Sequence, residues 1–186
     1  MNSVDLKELL RQLDACTKEV ENNFAHLNQE QLNFSPENGS WSIGQCLSHI
    51  IKTNEAYFPE VKKNLSEGYR MKFWEKYSPF STSIGKSMLT HLGADIKKKF
   101  KTPKVFSPSA KFTAASLFTA FSNHQKSMVA LYQSFENKLP QNTIITAPAS
   151  KLITLPLNDI LKILVAHEQR HIKQAKNIMS LTVFPK

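Results

Sequence analysis

The chain has 186 residues, of which 41% are hydrophobic and 21% charged, and its formal net charge is +9. This length and composition predict one soluble globular domain over residues 1–186 and exclude a disordered chain. We find no apolar run near the roughly 18–20 residues of a membrane span and no signal-peptide pattern, and two cysteines are too few for a disulfide framework. We therefore expect a cytoplasmic protein with free thiols.

Four long stretches repeat apolar residues at three- and four-residue spacing, which predicts four long amphipathic helices. The second is the most clearly delimited, because Ser42 and Gln45 form a capping box at its start and Gly68 suits its C-terminal cap. In chain order the four helices are predicted over residues 4–27, 42–68, 113–138 and 157–181.

The segments between these helices differ in regularity. Residues 69–112 are irregular and contain one shorter helix, predicted over 86–101, while residues 140–156 connect the third long helix to the last. Four helices of similar length can share one core, so we predict an all-α four-helix bundle with an irregular insertion between the second and third long helices.

The positive charge is concentrated in Ile96-Lys97-Lys98-Lys99-Phe100-Lys101-Thr102-Pro103-Lys104, which holds five lysines in nine positions. Such a run can attract an anion, such as a nucleic acid or an acidic cosubstrate. It is also typical of a solvated helix C-terminus. No aromatic stacking pattern accompanies the lysines, so we favour the solvated helix end and expect no nucleic-acid partner.

The last predicted helix carries two of the six histidines in Val165-Ala166-His167-Glu168-Gln169-Arg170-His171-Ile172-Lys173-Gln174. His167 and His171 lie within about 20° of the centre of its apolar stripe, so both should point inward. Residues at i and i+4 share a helix face, which is the spacing of histidine pairs that bind one metal ion. Glu168 falls about 80° from the stripe centre, and we assign it no role as a base. The alternative is a pair of core histidines bonded to carbonyl groups or tyrosines.

A catalytic metal site usually needs a third protein ligand, and spacing leaves it open. His124 lies on the apolar face of the third long helix and outranks the others by periodicity. His49 lies about 100° from the centre of the stripe on the second helix, which can line the mouth of a pocket. His26, near the end of the first helix, is expected to be exposed.

Two motifs resemble those of the DinB/YfiT-like family. The segment Trp41-Ser42-Ile43-Gly44-Gln45-Cys46-Leu47-Ser48-His49-Ile50 is similar to the opening of that family's second helix, and His167-x-x-x-His171-x-x-Gln174 is similar to its last-helix signature. Both motifs occur in the same order as in the family, and the number of residues between them is also that of the family. The resemblance implies an up-down-down-up bundle, often dimeric, with a divalent metal held by His49, His167 and His171.

The family includes metal-dependent transferases that use low-molecular-weight thiols, so the resemblance implies a thiol S-transferase acting on an electrophile. The alternatives are a metal-dependent hydrolase at the same site and a non-catalytic stress protein that binds a metal or small molecule. Three imidazoles suit several transition metals, and we expect zinc or nickel.

Four further residues have predicted roles near this site. We expect Gln174 to have a structural role, bonding within the core and holding the histidines in place, with orientation of a ligand as the alternative. Arg170 should pair with an acidic residue, although it could also bind a substrate carboxylate. Trp41 should pack over the start of the second helix, with a wall of the pocket as the alternative. Cys46 should be a small core residue, with a metal ligand as the less favoured possibility.

Overall fold

The computed structural model describes residues 5–36, 39–63, 70–77, 81–93, 102–109, 113–135 and 143–186. These residues are mostly helical, with a short 3-10 turn and one two-stranded antiparallel sheet. The helices are α1 (Leu6–Phe24), α2 (Gln29–Asn33), α3 (Ile43–Lys63), α4 (Phe73–Lys76), α5 (Ser81–Gly93), α6 (Ala114–Gln133) and α7 (Leu157–Met179), the 3-10 turn is Lys104–Phe106, and the strands are β1 (Ile144–Thr146) and β2 (Thr154–Pro156).

The four long helices α1, α3, α6 and α7 enclose the core. Helix α7 packs against α1, α3 and α5, while α6 packs against α1 and α3. Their apolar stripes form two clusters of buried side chains, one around Leu13, Tyr132 and Leu164 and the other around Phe24, Leu47 and Phe121. Helix α7 therefore buries more of its circumference than a helix with a single neighbour.

Local sequence signals place most helix ends. The predicted capping box is confirmed, because the Ser42 hydroxyl accepts a hydrogen bond from the Gln45 N–H and the Gln45 side chain accepts one from the Ser42 N–H. Asp5 caps α1 by accepting from the N–H of Glu8. The first predicted helix ends earlier than expected, at Phe24, and a separate short helix follows. Such two- to four-residue differences arise where the terminal turn competes with loop contacts.

The connection predicted over residues 140–156 contains a short antiparallel hairpin that the sequence analysis did not predict. Ile144, Ile145 and Thr146 pair with Pro156, Leu155 and Thr154 in antiparallel register. β-branched residues favour extended backbone, and the fully buried Ile145 and Leu155 anchor the hairpin on the helices. The fold is therefore mostly helical with a small sheet. The short helix predicted over 86–101 begins earlier, at Ser81.

Some predictions fall outside the described residues. They are the Gly68 cap, the continuation of the short helix beyond Gly93, and the lysines from Lys97 to Lys101. The third long helix, predicted to end at residue 138, ends earlier, at Gln133. Among the helices that the structure describes, none has the length and apolar character needed to cross a membrane.

Candidate metal centre

Three histidines from two helices converge at one point. Each offers one ring nitrogen, and these three atoms lie within 4.8 Å of one another. His49 comes from α3 and the pair His167 and His171 from α7, where the i, i+4 spacing stacks both rings on one face. Ring centroids are 4.5–4.9 Å apart, and His49 Nε2 lies 3.1 Å from His167 Nε2. The arrangement brings together the three histidines that the family resemblance singles out.

A backbone carbonyl sets the orientation of His49. Its Nδ1 lies 2.7 Å from the carbonyl oxygen of Phe106, in the 3-10 turn. A carbonyl can only accept, so Nδ1 carries the proton and Nε2 of the neutral ring presents its lone pair to the other histidines. Lys52 and Ser48 bind the same segment through the Ser107 carbonyl and the Ser109 N–H. These two contacts from side chains of α3 therefore fix the segment whose carbonyl bonds to His49.

A side chain sets the orientation of His171. Its Nδ1 lies 2.9 Å from Oε1 of Gln174, one turn further along α7. Donation from Nδ1–H to this amide oxygen leaves Nε2 free to face the cluster. The predicted supporting role of Gln174 agrees with this contact.

His167 lacks a second partner among the described residues. Its Nδ1 is buried without a hydrogen bond, while its Nε2 faces Nε2 of His49. If His49 donates its only proton to Phe106, two lone pairs would face each other unless a proton or a cation lies between them. Nitrogens bound to one zinc ion lie about 3–3.5 Å apart, a range that includes the 3.1 Å between His49 and His167, and all three donor atoms lie within 4.8 Å. The donor set therefore fits a metal ion.

The electrostatic environment keeps these rings neutral. Burial is the main cause in each case, and it lowers the pKa of His49, lowers that of His171 to about 3 and lowers that of His167 well below its usual value. Mutual repulsion and the nearby Arg170 lower the pKa of His167 and His171 further. Metal ligation requires the neutral imidazole, so the site is prepared for a cation at neutral pH.

Comparison with known proteins identifies the family of this chain. The family model of the DinB superfamily matches residues 12–175, which include all three histidines. The chain belongs to the DinB superfamily. Neither the curated proteins nor the solved structures contain a significant match. Together, the family and the histidine cluster suggest a divalent metal.

Trp41 forms one wall of this DinB-superfamily site. Its ring lies 4.6 Å from that of His49 and 5.6 Å from that of His171, measured between centroids. Trp41 also packs against the core cluster that contains Ile43 and Leu47, so the favoured packing role and the alternative position beside the site both agree with the structure. Cys46 is fully buried, and among the described residues the cluster contains no cysteine. Burial raises the pKa of its thiol to about 12, as expected for a core residue.

His124 joins a separate buried network beside the histidine cluster. Asn54 donates to His124 Nε2 at 3.0 Å and to Glu168 at 2.6 Å, and Gln125 donates to the other Glu168 oxygen at 2.8 Å. Glu168 is fully buried, although its angle placed it on the flank of the stripe. Contacts of α7 with several helices explain the difference. The sequence signal for this network is Asn54, a polar residue within an apolar stripe.

The remaining predictions near the site have mixed outcomes. His26 is exposed in the turn after α1, as expected. Arg170 has no acidic partner among the described residues, so the favoured prediction of an ion pair is not supported there. The Phe106 carbonyl was not predicted, because a backbone group 57 residues from His49 leaves no mark in the sequence.

Proposed function

We propose that His49, His167 and His171 hold a divalent transition metal, with zinc or nickel expected, and that the protein is a metal-dependent thiol S-transferase. The observation that carries the proposal is the convergence of three neutral ring nitrogens within 4.8 Å. The proposed framework is a single domain built as an up-down-down-up four-helix bundle, with the histidines supplied by its second and last long helices.

The metal and the groups around it have separate roles in this proposal. When bound, the metal supplies Lewis acidity that favours the thiolate form of a thiol, or the hydroxide form of water, at neutral pH. The Phe106 carbonyl and Gln174 hold two of the rings in the tautomer that directs Nε2 inward. Trp41 packs against the rings of two histidines, His49 and His171, in tilted contacts.

The nucleophile in this proposal comes from a small molecule. Cys16 and Cys46, the two cysteines of the chain, are both buried, and burial raises the pKa of both thiols. A buried thiol with a raised pKa is a poor nucleophile. An external low-molecular-weight thiol and a small electrophile are therefore the proposed partners. The proposed location is the cytoplasm, where such thiols stay reduced, and the proposed assembly is a homodimer without nucleic acid.

Metal content tests the ligand assignment. Protein purified without a histidine tag should contain about one equivalent of transition metal, and His49→Ala and His171→Ala should lose it. His26→Ala removes an exposed imidazole and His124→Ala removes the rival ligand, so both should keep the metal. Equal metal content in all four variants would contradict the assignment.

Turnover tests the reaction. The metal-loaded protein is incubated with glutathione, bacillithiol or mycothiol and a chloronitrobenzene electrophile, with His171→Ala as the background. Conjugation above that background supports the transferase. Hydrolysis of activated esters without conjugation would assign the hydrolase instead, and metal retention with neither reaction would assign a non-catalytic binding protein.

A further inference from the structure

Arg170 lies beside the histidine cluster. It follows His167 by three positions and precedes His171 on α7, so it occupies the flank of the face that carries both rings. It is partly buried.

The neighbouring cations have partners that Arg170 lacks. On α7, Lys176 pairs with Glu19 at 3.1 Å, and on α3 Lys52 donates to the Ser107 carbonyl at 3.0 Å. Over the described ranges, Arg170 makes neither an ion pair nor a side-chain hydrogen bond. The nearest acid in sequence, Glu168, faces the interior and accepts from Asn54 and Gln125. A guanidinium that is partly removed from water and has no partner favours binding of an anion.

The net charge expected for the metal centre also favours an anionic ligand. Three neutral imidazoles do not compensate a divalent cation, and the only carboxylate next to them in sequence is engaged elsewhere. An anionic ligand that reaches both the metal and Arg170 would balance charge at both points. The guanidinium fork matches a planar carboxylate through two parallel hydrogen bonds. Arg170 and His167 are one helical turn apart, so the carboxylate and the metal-binding atom would be separated by only a few bonds.

We propose that Arg170 binds a carboxylate of the small-molecule thiol, so that the site selects thiols with a carboxylate a few bonds from the sulfur. This inference rests on the proposed function, because it requires the thiol to approach the metal held by the three histidines. Arg170 would act in recognition, with the metal and histidines providing the chemistry.

Binding of matched thiols to cobalt-loaded protein tests the inference. Cobalt(II) reports thiolate coordination by a sulfur-to-cobalt charge-transfer absorption. The probes are 3-mercaptopropionate and 3-mercaptopropanol, which share the thiol and chain length and differ in the carboxylate. Wild type should bind 3-mercaptopropionate about tenfold more tightly or better. Arg170→Gln should remove this preference, and Arg170→Lys should keep part of it because it retains charge without the fork.

Lys162→Gln is the matched control, since it removes one positive charge from the same helix two turns away and should keep the wild-type preference. Circular dichroism melting verifies that each variant is folded. Equal affinities for the two thiols in wild type, or an unchanged preference in Arg170→Gln, would overturn the role of Arg170 while leaving the metal site intact. Failure of wild type to bind one equivalent of cobalt would overturn the metal function and the inference with it.

Discussion

Asn54 of α3 donates a hydrogen bond of 2.6 Å to Glu168 of α7 in the interior of the protein. Glu168 directly follows His167, and Asn54 lies five positions after His49. The bond therefore joins the two helices that carry the histidines, next to the cluster itself. A buried polar contact of this kind is directional, so it favours one rotation of α7 relative to α3.

Loss of this contact should cost much of the stability. Glu168→Ala removes the carboxylate that accepts hydrogen bonds from Asn54 and Gln125 and opens a cavity, so we expect the free energy of unfolding to fall by about 3–5 kcal/mol. Urea unfolding measures the change. Glu19→Ala, which breaks an exposed ion pair with Lys176, should cost about 1 kcal/mol or less.

A double-mutant cycle that combines Glu168→Ala with Asn54→Ala measures the interaction energy between these two residues. The two substitutions should be non-additive by about 0.5–3 kcal/mol, because the second removes a group whose partner is already gone. Additive effects would mean that Glu168 and Asn54 stabilise the protein independently.

Gln174 should affect metal binding without being a ligand. Gln174→Leu removes the acceptor of the His171 Nδ1–H and leaves the ring free to turn, so zinc affinity should fall about 10- to 100-fold. A competition titration with a chromophoric chelator gives the affinity. Gln169→Leu, an exposed change on the same helix, should match wild type, and equal weakening in both variants would argue against the specific role of Gln174.

The stability of the metal-free protein should decrease in mild acid. Burial, the dominant cause, lowers the pKa of His171 to about 3 in the folded state, whereas an unfolded histidine titrates near 6.5. Between these values the unfolded state binds a proton that the folded state does not. Stability is therefore fully present above pH 6.5 and falls by about 1.4 kcal/mol per pH unit for this residue as the pH decreases below it.

Urea unfolding at pH 7, 6 and 5 measures this dependence. The variant His171→Asn should show a shallower pH dependence than wild type, and His26→Asn, which removes an exposed imidazole, serves as the control. Identical pH dependence in wild type and His171→Asn would show that the ring is not kept neutral by burial.

The two cysteines should be unreactive in the folded protein. Cys46 has no exposed surface and its pKa is raised to about 12, and burial also raises the pKa of Cys16. A disulfide reagent should therefore label both thiols only after urea is added. Cys46→Ala should retain its metal. Rapid labelling of the native protein would show that a cysteine thiol is accessible, which would contradict the argument that the nucleophile must be external.

Periodicity alone predicts the long helices, because the alternation of apolar and polar residues along α1, α3, α6 and α7 reports which side of each helix is buried. The capping box at Ser42 and Gln45 is equally local, since both partners lie within one turn. The inward direction of His167 and His171 follows from the same angle arithmetic. All these features depend on residues within a few positions of one another.

The third histidine required more than periodicity. By that criterion His124 outranks His49, and only the resemblance of Trp41-Ser42 and its following residues favours His49. In the structure His49 meets the α7 pair, while His124 bonds with Asn54. A helix angle gives the side of a helix that is buried, but the identity of the neighbour on that side depends on how the helices pack.

The sequence by itself therefore determined the four long helices, the capping box and two of the three histidines of the cluster, because these are properties of single helices. Only the tertiary structure decided that Glu168 is buried, that residues 144–156 contain a hairpin and that the Phe106 carbonyl orients His49. Each of these depends on the relative placement of distant segments, which brings together groups that no local pattern connects.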